Sequence, residues 1–274
     1  MGLRLLVSDV DGTLLDPEGR LNRRVVRALR RFVEAGGQLS LATGRPPELV
    51  LPIARRIRTT LPIVTNNGAR IVHPKDGQTI AASVLPAELV RALWEYALGY
   101  DVTLFFAGQG TLFGGPRKEE LALWTGLPYL ATDPHAFPPA DKAVLYGDPQ
   151  AQQEVIHWLQ RQLPGATAVK NGSGHELLAP SASKGSGVLQ LAAMSGISLS
   201  ETVVVGDELN DLSMLRVAGV AAAVGNALPE VRQLATLLLP PNTQAPLARL
   251  AEQLRSHLLQ PVEHPVPQLV STQS

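Results

Sequence analysis

The segment LRLLVSDVDGT, residues 3–13, places two carboxylates directly after an apolar run. Such a run is typical of a buried parallel strand, so Asp9 and Asp11 are expected at its carboxyl end, where open α/β sheets bind ligands. One carboxylate could attack phosphorus while the other handles protons, and both could help to hold a hard cation such as Mg²⁺. The same run also fits a strand that ends in an Asp-Gly turn. An EF-hand calcium loop is excluded, because Thr13 and Arg20 occupy its fifth and twelfth positions.

Three further segments place polar residues after an apolar run or at a helix start. Thr43-Gly44-Arg45 follows the run that begins at Leu39, and its hydroxyl and backbone N–H groups could bind phosphoryl oxygens. Ser183-Lys184-Gly185 opens a predicted helix and supplies a lysine. The run Thr202 to Val205 leads into the acidic loop of residues 206–211.

Each of these segments also fits an ordinary structural role. Thr43 could cap a helix, Lys184 could be a solvated surface cation, and the acidic loop could be a capped turn. Their occurrence together, in this order, favours a catalytic site over three separate structural features.

The four segments resemble the motifs of the haloacid dehalogenase superfamily of phosphotransferases, and within it the Cof-type phosphatases of subfamily IIB. The matching residues are Asp9-Val10-Asp11-Gly12-Thr13, Ala42-Thr43-Gly44-Arg45, Lys184-Gly185, and Gly206-Asp207 with Asn210-Asp211. The resemblance implies an α/β fold, with a Rossmann-like parallel-sheet core and an inserted α/β cap domain of type C2B. One departure is the segment Asn242 to Ala245, where the family often carries an acidic residue and a glycine.

The resemblance also implies roles for the matching residues. Asp9 would attack the phosphoryl group to form an aspartyl-phosphate, and Asp11 would act as general acid and then general base. Mg²⁺ would be held by Asp9, the backbone carbonyl of Asp11 and Asp207, with Asp211 in support. The phosphoryl oxygens would be bound by a group of polar residues, namely Thr43, Gly44, Arg45, Lys184 and Asn210.

The stretch from Leu85 to about Pro180 carries most of the aromatic residues and none of the four motifs. We therefore predict a catalytic core from residues 1–83 and 181–260, with residues 84–180 as the cap. Helix-like and strand-like stretches alternate in the cap segment, with helices expected at 86–98 and 150–163 and strands at 102–106, 143–146 and 166–169. The proline-rich tail, residues 261–274, is expected to be disordered.

Composition limits the binding partners and the cellular location expected for the protein. The 274 residues carry equal numbers of acidic and basic side chains, so there is no electrostatic signature for nucleic acid or an anionic membrane. No apolar run is long enough to span a bilayer and no signal-peptide pattern is present, which predicts a cytoplasmic protein. The chain contains no cysteine, which excludes thiol chemistry and cysteine-ligated metals. We expect a monomer or a homodimer.

The substrate is the least determined part of the sequence-based interpretation. A small phosphorylated metabolite, with a sugar phosphate as the first guess, could be contacted by Arg45, Asn66, Asn67, His175 and Glu176. Four of these residues also have a plain alternative: Arg45 a salt bridge, Asn66 and Asn67 a turn, and His175 a solvated loop. A phosphomutase with the same type of cap and a catalytically idle sugar-phosphate-binding protein are the alternative functions.

Overall fold

The computed structural model describes residues 2–115, 127–130 and 133–259. The tail 261–274, predicted to be disordered, lies outside the described residues. No helix among the described residues is both long enough and apolar enough to cross a membrane.

The core of the protein is a parallel sheet. Within the described residues its five strands are ordered β13-β12-β11-β1-β2. They are β1 (Leu5–Ser8), β2 (Gln38–Leu41), β11 (Thr202–Gly206), β12 (Val220–Ala223) and β13 (Leu237–Leu238). The central strands are apolar and buried along their whole length, as expected for a parallel sheet covered on both faces by helices.

Helices pack on this sheet through apolar faces. The first begins after Asn22, whose side chain accepts a hydrogen bond from the backbone N–H of Arg24 and so caps it. The core helices are α1 (Arg23–Glu34), α2 (Pro47–Ile57), α5 (Lys184–Ser195), α6 (Leu212–Leu215), α7 (Pro229–Leu234) and α8 (Pro246–Leu259).

A small antiparallel sheet extends the core next to β2. Its described strands are β3 (Ile63–Thr65), β4 (Arg70–Val72) and β5 (Thr79–Ala82). A parallel bridge between Ala42 and Val64 joins it to the chain that leaves β2. The short helical turn Asn66–Gly68 therefore lies beside the segment Thr43-Gly44-Arg45.

The inserted segment forms a separate antiparallel sheet with its own helices. In the described part of the chain this sheet has the order β7-β6-β8-β10-β9. Its elements are α3 (Ala87–Ala97), β6 (Val102–Gly108), β7 (Thr111–Phe113), β8 (Lys142–Gly147), α4 (Pro149–Gln162), β9 (Thr167–Asn171) and β10 (Gly174–Leu178).

The two faces of the inserted sheet have different partners. Alternate residues of β6 and β8, such as Phe106 and Leu145, pack with Leu93 of α3 and Val155 of α4. The intervening residues of these strands point to the opposite face of the sheet, where Phe105 lies in a second apolar cluster.

The predicted fold class is confirmed: the protein has a parallel-sheet α/β core and an α/β cap. The helices and strands expected in the cap segment are present, with ends that differ by one or a few residues. The sequence pattern did not indicate β7 and β10. Because β10 contains His175, the alternative interpretation of this residue as part of a loop was wrong.

Candidate active site

The sequence motifs meet at the carboxyl edge of the parallel sheet. Ser8 is in register with Leu41 on one side and with Val205 on the other. The residues that follow these three strands, which include Asp9, Thr43 and Asp207, therefore converge at one edge of the sheet.

A buried charge cluster lies at the centre of this edge. The Nζ atom of Lys184 donates hydrogen bonds to Asp9 Oδ1 at 2.7 Å and to Asp211 Oδ1 at 2.6 Å. Asp207 accepts a hydrogen bond from the hydroxyl of Thr13 at 2.5 Å. Lys184 is 1% exposed and Asp211 is fully buried, so solvent screens these charges little.

Local sequence explains how these carboxylates come so close together. Gly12 has a φ of +76°, and a Cβ there would lie 2.1 Å from the Asp207 carboxylate. A Cβ at Gly206 would lie 2.5 Å from the carboxyl carbon of Asp211. Both glycines therefore leave space for an acidic side chain. Asp211 also accepts the backbone N–H of Asp207, which fixes the acidic loop around it.

Burial makes the charges in this cluster costly. It raises the pKa of Asp9 well above the ordinary 3.8, although Lys184 opposes the shift. Burial, with a contribution from Asp211, raises the pKa of Asp207 to about 7 despite the hydrogen bond from Thr13. Burial also disfavours the charge on Lys184, but Asp211 and Asp9 together raise the pKa of its ammonium group above its ordinary value.

The donor set suits a divalent cation that prefers oxygen. Among the described residues, Asp9, Asp207 and Asp211 each offer a carboxylate oxygen, and these atoms lie within 4.8 Å of one another. With every group ionised, three carboxylates and the Lys184 ammonium leave a net charge of −2. A buried excess of two negative charges fits Mg²⁺, which binds carboxylates and water at short distances. The backbone carbonyl of Asp11 stays a predicted ligand.

The predicted phosphate-binding segment lies beside this cluster. The Thr43 hydroxyl accepts the backbone N–H of Arg45 at 3.1 Å, and Thr43 is buried. Arg45 forms a two-pronged ion pair with Asp11, at 2.8 and 2.6 Å. The Asp11 side chain is 59% exposed, so this pair stands at the mouth of the site and not in the charge cluster. Arg45 therefore forms the salt bridge that was the alternative to a substrate contact.

A chain of buried and half-buried hydrogen bonds links the cap to the predicted phosphate-binding segment. The Glu176 carboxylate, on β10, accepts hydrogen bonds from Asn67 Nδ2 at 2.7 Å and from Lys142 Nζ at 2.6 Å. The same Lys142 donates to the carbonyl of Gly44 at 3.0 Å. Asn210 donates to Asn67 Oδ1 at 3.0 Å, which brings the acidic loop into the same network.

The neighbouring Asn66 makes a second link to the cap. Its Nδ2 donates to Asp141 at 2.8 Å, and Arg70 also donates to this carboxylate. Both Asn66 and Asn67 have positive φ angles, of 48° and 54°, a conformation that asparagine tolerates better than most residues. The backbone geometry directs two adjacent amides to two different cap residues.

A cavity of about 570 Å³ opens above the charge cluster. Most predicted site residues line it, and so do Lys170 and Asn171 at the end of β9 and Gly172 in the turn that follows. The lining set includes Asp9, Asp11, Thr43, Gly44, Arg45, Asn67, Lys170, Asn171, Gly172, Glu176 and Asn210.

The structure does not bring His175 into this cavity. The side chain of His175 is half-buried, and its Nδ1 lies 2.8 Å from Gln152 Oε1 on α4. Burial, with the nearby Lys170, lowers the pKa of the imidazole. Successive residues of a strand point to opposite faces, so Glu176 reaches the active site and His175 does not.

Sequence reasoning missed several residues of the network. Asp141, Lys142 and Asn171 all belong to the cap, outside the four motifs. One signal was available: Lys142 is one of five lysines in the chain and directly precedes the apolar run Ala143 to Leu145. A charge at the edge of a buried strand generally has a partner.

Comparison with known proteins agrees with this geometry. The family model described as haloacid dehalogenase-like hydrolase matches residues 6–250. An HMP-PP phosphatase from Cronobacter sakazakii is 29% identical over 238 residues, covering 83% of this chain and 86% of the relative. A phosphoglycolate phosphatase from Methanoculleus marisnigri is 30% identical over 226 residues, covering 82% and 85%.

The fold has a counterpart among solved structures. A sugar phosphatase of haloacid dehalogenase subclass IIB superposes with a TM-score of 0.77 and 22% identity, over 91% of this chain and 98% of the other. The chain therefore belongs to the haloacid dehalogenase-like hydrolases, has the subclass IIB fold, and is a phosphoric monoester hydrolase.

Proposed function

We propose that this protein is a Mg²⁺-dependent phosphatase that hydrolyses a small phosphomonoester through an aspartyl-phosphate on Asp9. The observation that carries the proposal is the position of Asp9. It is buried at the floor of a cavity of about 570 Å³, held by Lys184 and close to two further carboxylates. A nucleophile needs this fixed orientation towards a substrate bound above it.

In the first half-reaction an Asp9 carboxylate oxygen forms a bond to phosphorus while the bond from phosphorus to the alcohol oxygen breaks. Asp11 gives a proton to the leaving alcohol. It then removes a proton from the water that attacks phosphorus. The bond from phosphorus to the Asp9 oxygen breaks, which releases inorganic phosphate and restores the Asp9 carboxylate. To do this, Asp11 must exchange its ion pair with Arg45 for contact with the substrate.

The approach of two anions requires local positive charge. Lys184 lies 2.7 Å from Asp9, so its ammonium group can contact a phosphoryl oxygen held over Asp9. The Thr43 hydroxyl and the neighbouring backbone N–H groups offer further donors. Mg²⁺, held by Asp9 and Asp207 with Asp211 in support, would supply the remaining charge neutralisation when bound.

The natural substrate of this protein cannot be assigned from the names of its relatives. The two named above are about equally similar to this chain, yet their names give different substrates. What they share is a small phosphorylated metabolite, and this supports the same class here. We also propose that residues 84–180 act as a cap over a core of residues 1–83 and 181–260, and that the protein is cytoplasmic.

The proposal is tested by measuring phosphate release from a panel of phosphorylated metabolites with Mg²⁺ present and with excess chelator. The wild type should release phosphate only with the metal, and Asp9→Asn should release none. A phosphomutase would instead need a bisphosphate activator and would return an isomeric phosphate ester. A binding protein would release no phosphate from any ester in the panel, nor from the more reactive acyl phosphate acetyl phosphate, and this result would refute the proposal.

A further inference from the structure

Arginine is concentrated in one part of the core. Residues 20–58 contain ten arginines and two acidic residues, although the whole chain has equal numbers of basic and acidic side chains. Helix α1 carries Arg23, Arg27 and Arg30, and this spacing of four and then three residues puts all three on one side of the helix. The zero net charge of the chain therefore conceals a local positive excess.

Two shallow grooves follow these arginines. The first, of about 340 Å³, runs along α1 and is lined by Arg23, Arg27 and Arg30. The second, of about 450 Å³, lies between the turn of residues 15–21 and helix α2, and Arg23 and Arg56 line it. Arg23 belongs to both linings, so the grooves meet at its side chain. Neither groove shares a lining residue with the catalytic cavity.

The arginines of the two grooves are short of negative charge. Among the described residues, four of them form no ion pair with a carboxylate, namely Arg23, Arg27, Arg30 and Arg56. Arg30 Nε donates to the backbone carbonyl of Arg56 at 3.0 Å, which brings the arginines of α1 and α2 together. The acidic residue in the lining, Glu34, is already paired with Arg58 at 3.2 Å. Like charges at this spacing repel one another, so an anion bound between them would relieve the repulsion.

The second groove combines its cations with an apolar floor. Leu21, Pro52 and Ile53 line it beside the arginines. Leu21 and Ile53 are half-buried and Pro52 is exposed, so all three present hydrocarbon surface to an occupant. An apolar protein cavity of roughly 150 Å³ holds one benzene molecule. A groove of about 450 Å³ therefore has room for a fused two-ring system and an attached phosphate group.

We propose that the two grooves form a second ligand site, separate from the catalytic cavity, which binds an organic diphosphate such as a nucleoside diphosphate. The guanidinium groups of Arg23, Arg27 and Arg56 pair with the phosphate oxygens, for which their planar shape and permanent charge are suited. The organic part lies on the apolar floor of the second groove. This inference goes beyond the proposed phosphatase function and does not depend on it.

The side chains around the grooves favour a small ligand over a macromolecule. A membrane-binding surface usually combines basic residues with large apolar side chains that enter the lipid. Within the described part of the chain, no large hydrophobic side chain of α1 or α2 is exposed. Proteins that bind single-stranded nucleic acid commonly stack bases on aromatic side chains, and no aromatic residue lines either groove.

The first test is calorimetric titration of the wild type with the α,β-methylene analogue of a nucleoside diphosphate, whose bridge between the phosphorus atoms cannot be hydrolysed. The titration is done in excess chelator, because the uncompensated carboxylates of the catalytic cavity then disfavour an anion there. We expect a Kd below about 0.5 mM at low salt, and weaker binding as the salt concentration rises. The free nucleoside and methylenediphosphonate should each bind at least about tenfold more weakly, because each lacks one half of the contacts. A Kd above this limit, or equal affinity for either fragment, would overturn the inference.

The second test reverses one charge of the site. Arg23→Glu should raise the Kd of the analogue at least about tenfold, since Arg23 lines both grooves. It is the first residue of α1, where an acidic side chain is favourable to the helix. Arg56→Glu, on α2, should act in the same way. Arg161→Glu is the matched control, because it makes the same change at an exposed arginine of the cap helix α4, and it should alter the Kd by less than about twofold. Equal weakening by the control would show a response to net charge alone and would overturn the site.

Further measurements locate the ligand and identify its class. Arg45→Gln changes a residue of the catalytic cavity and should leave the Kd of the analogue unchanged. If it weakened binding as much as Arg23→Glu, the ligand would occupy the catalytic cavity and the inference would be wrong. Binding of phosphatidylserine vesicles or of a short RNA, without binding of the analogue, would assign the arginines to a macromolecule and would also overturn it. Phosphate release from the ester panel tests the proposed function separately, so failure of one leaves the other standing.

Discussion

Replacing Lys184 by methionine removes the cation from a buried cluster without much change in volume. The Nζ atom lies 2.7 Å from Asp9 and 2.6 Å from Asp211. At an effective dielectric constant of about 20, one such pair attracts by roughly 6 kcal/mol before desolvation is considered. Desolvation offsets part of this, and removal of one partner of a buried pair usually costs about 3–5 kcal/mol.

The variant should therefore unfold more easily. For a chain of this size, about 3–5 kcal/mol corresponds to a fall of roughly 6–20 °C in melting temperature. The loss should be largest at pH 8, where Asp207, with its pKa of about 7, is ionised, and smaller at pH 5, where it is protonated. Phosphate release should fall at least about 100-fold, because Lys184 would also contact the phosphoryl group.

Thermal melting of the metal-free protein at both pH values is the assay. Lys75→Met is the matched control, since it makes the same substitution at an exposed lysine and should change stability by less than about 0.5 kcal/mol. If Lys184→Met had the same melting temperature as the control at pH 8, the positive charge of Lys184 would not be stabilising these carboxylates. An equal loss at pH 5 and pH 8 would show that lost packing, and not lost charge, is responsible.

Three further predictions concern the other parts of the site. Asp9→Asn should reduce phosphate release below detection without lowering the melting temperature, because burial makes the Asp9 charge unfavourable; measurable turnover would contradict a covalent intermediate on this residue. Since the pKa of Asp207 in the folded protein is raised to about 7, the metal-free protein should lose stability as pH rises from about 4 to 7. Mg²⁺ should raise the melting temperature more at pH 8 than at pH 5, and Asp207→Asn should abolish this difference. Equal shifts in melting temperature at both pH values would argue against a metal at this carboxylate. Glu176→Gln should lower kcat/KM at least about tenfold, because the amide keeps one acceptor oxygen and must place its NH2 group against either Asn67 or Lys142, whereas His175→Ala should change it little. The reverse order of effects would contradict the network.

Most of the core of the site could be predicted because three of the four motifs follow a strand of the parallel sheet, whereas the fourth, with Lys184, begins a helix. Asp9, Thr43 and Asp207 come directly after apolar runs, and the carboxyl ends of neighbouring parallel strands meet at one edge. Local sequence therefore implied proximity between residues nearly 200 positions apart. The roles assigned to these residues remain predictions.

The cap side of the site could not be read in the same way. Glu176 lies on a strand that the pattern did not indicate, and its partner Lys142 is 34 residues away in sequence. Glu176 was among the candidate substrate contacts, but charged side chains usually lie at the surface, so neither its burial nor its pairing with Lys142 was predicted. Asn66 and Asn67 predict a turn, which the structure contains. Nothing in the local sequence shows that the Asn66 amide contacts Asp141, 75 positions later, or that the Asn67 amide contacts Glu176, 109 positions later.

The hydrogen bonds between core and cap have a consequence for the pace of turnover. Asn66 and Asn67 adjoin the segment that contains Gly44, and all three residues are hydrogen-bonded to the cap. A motion that lifts the cap would therefore break their bonds to Asp141, Glu176 and Lys142 together. We therefore expect opening to be cooperative and to limit the exit of inorganic phosphate. Side chains such as Asp141, which lie away from the charge cluster, would then affect the rate of turnover.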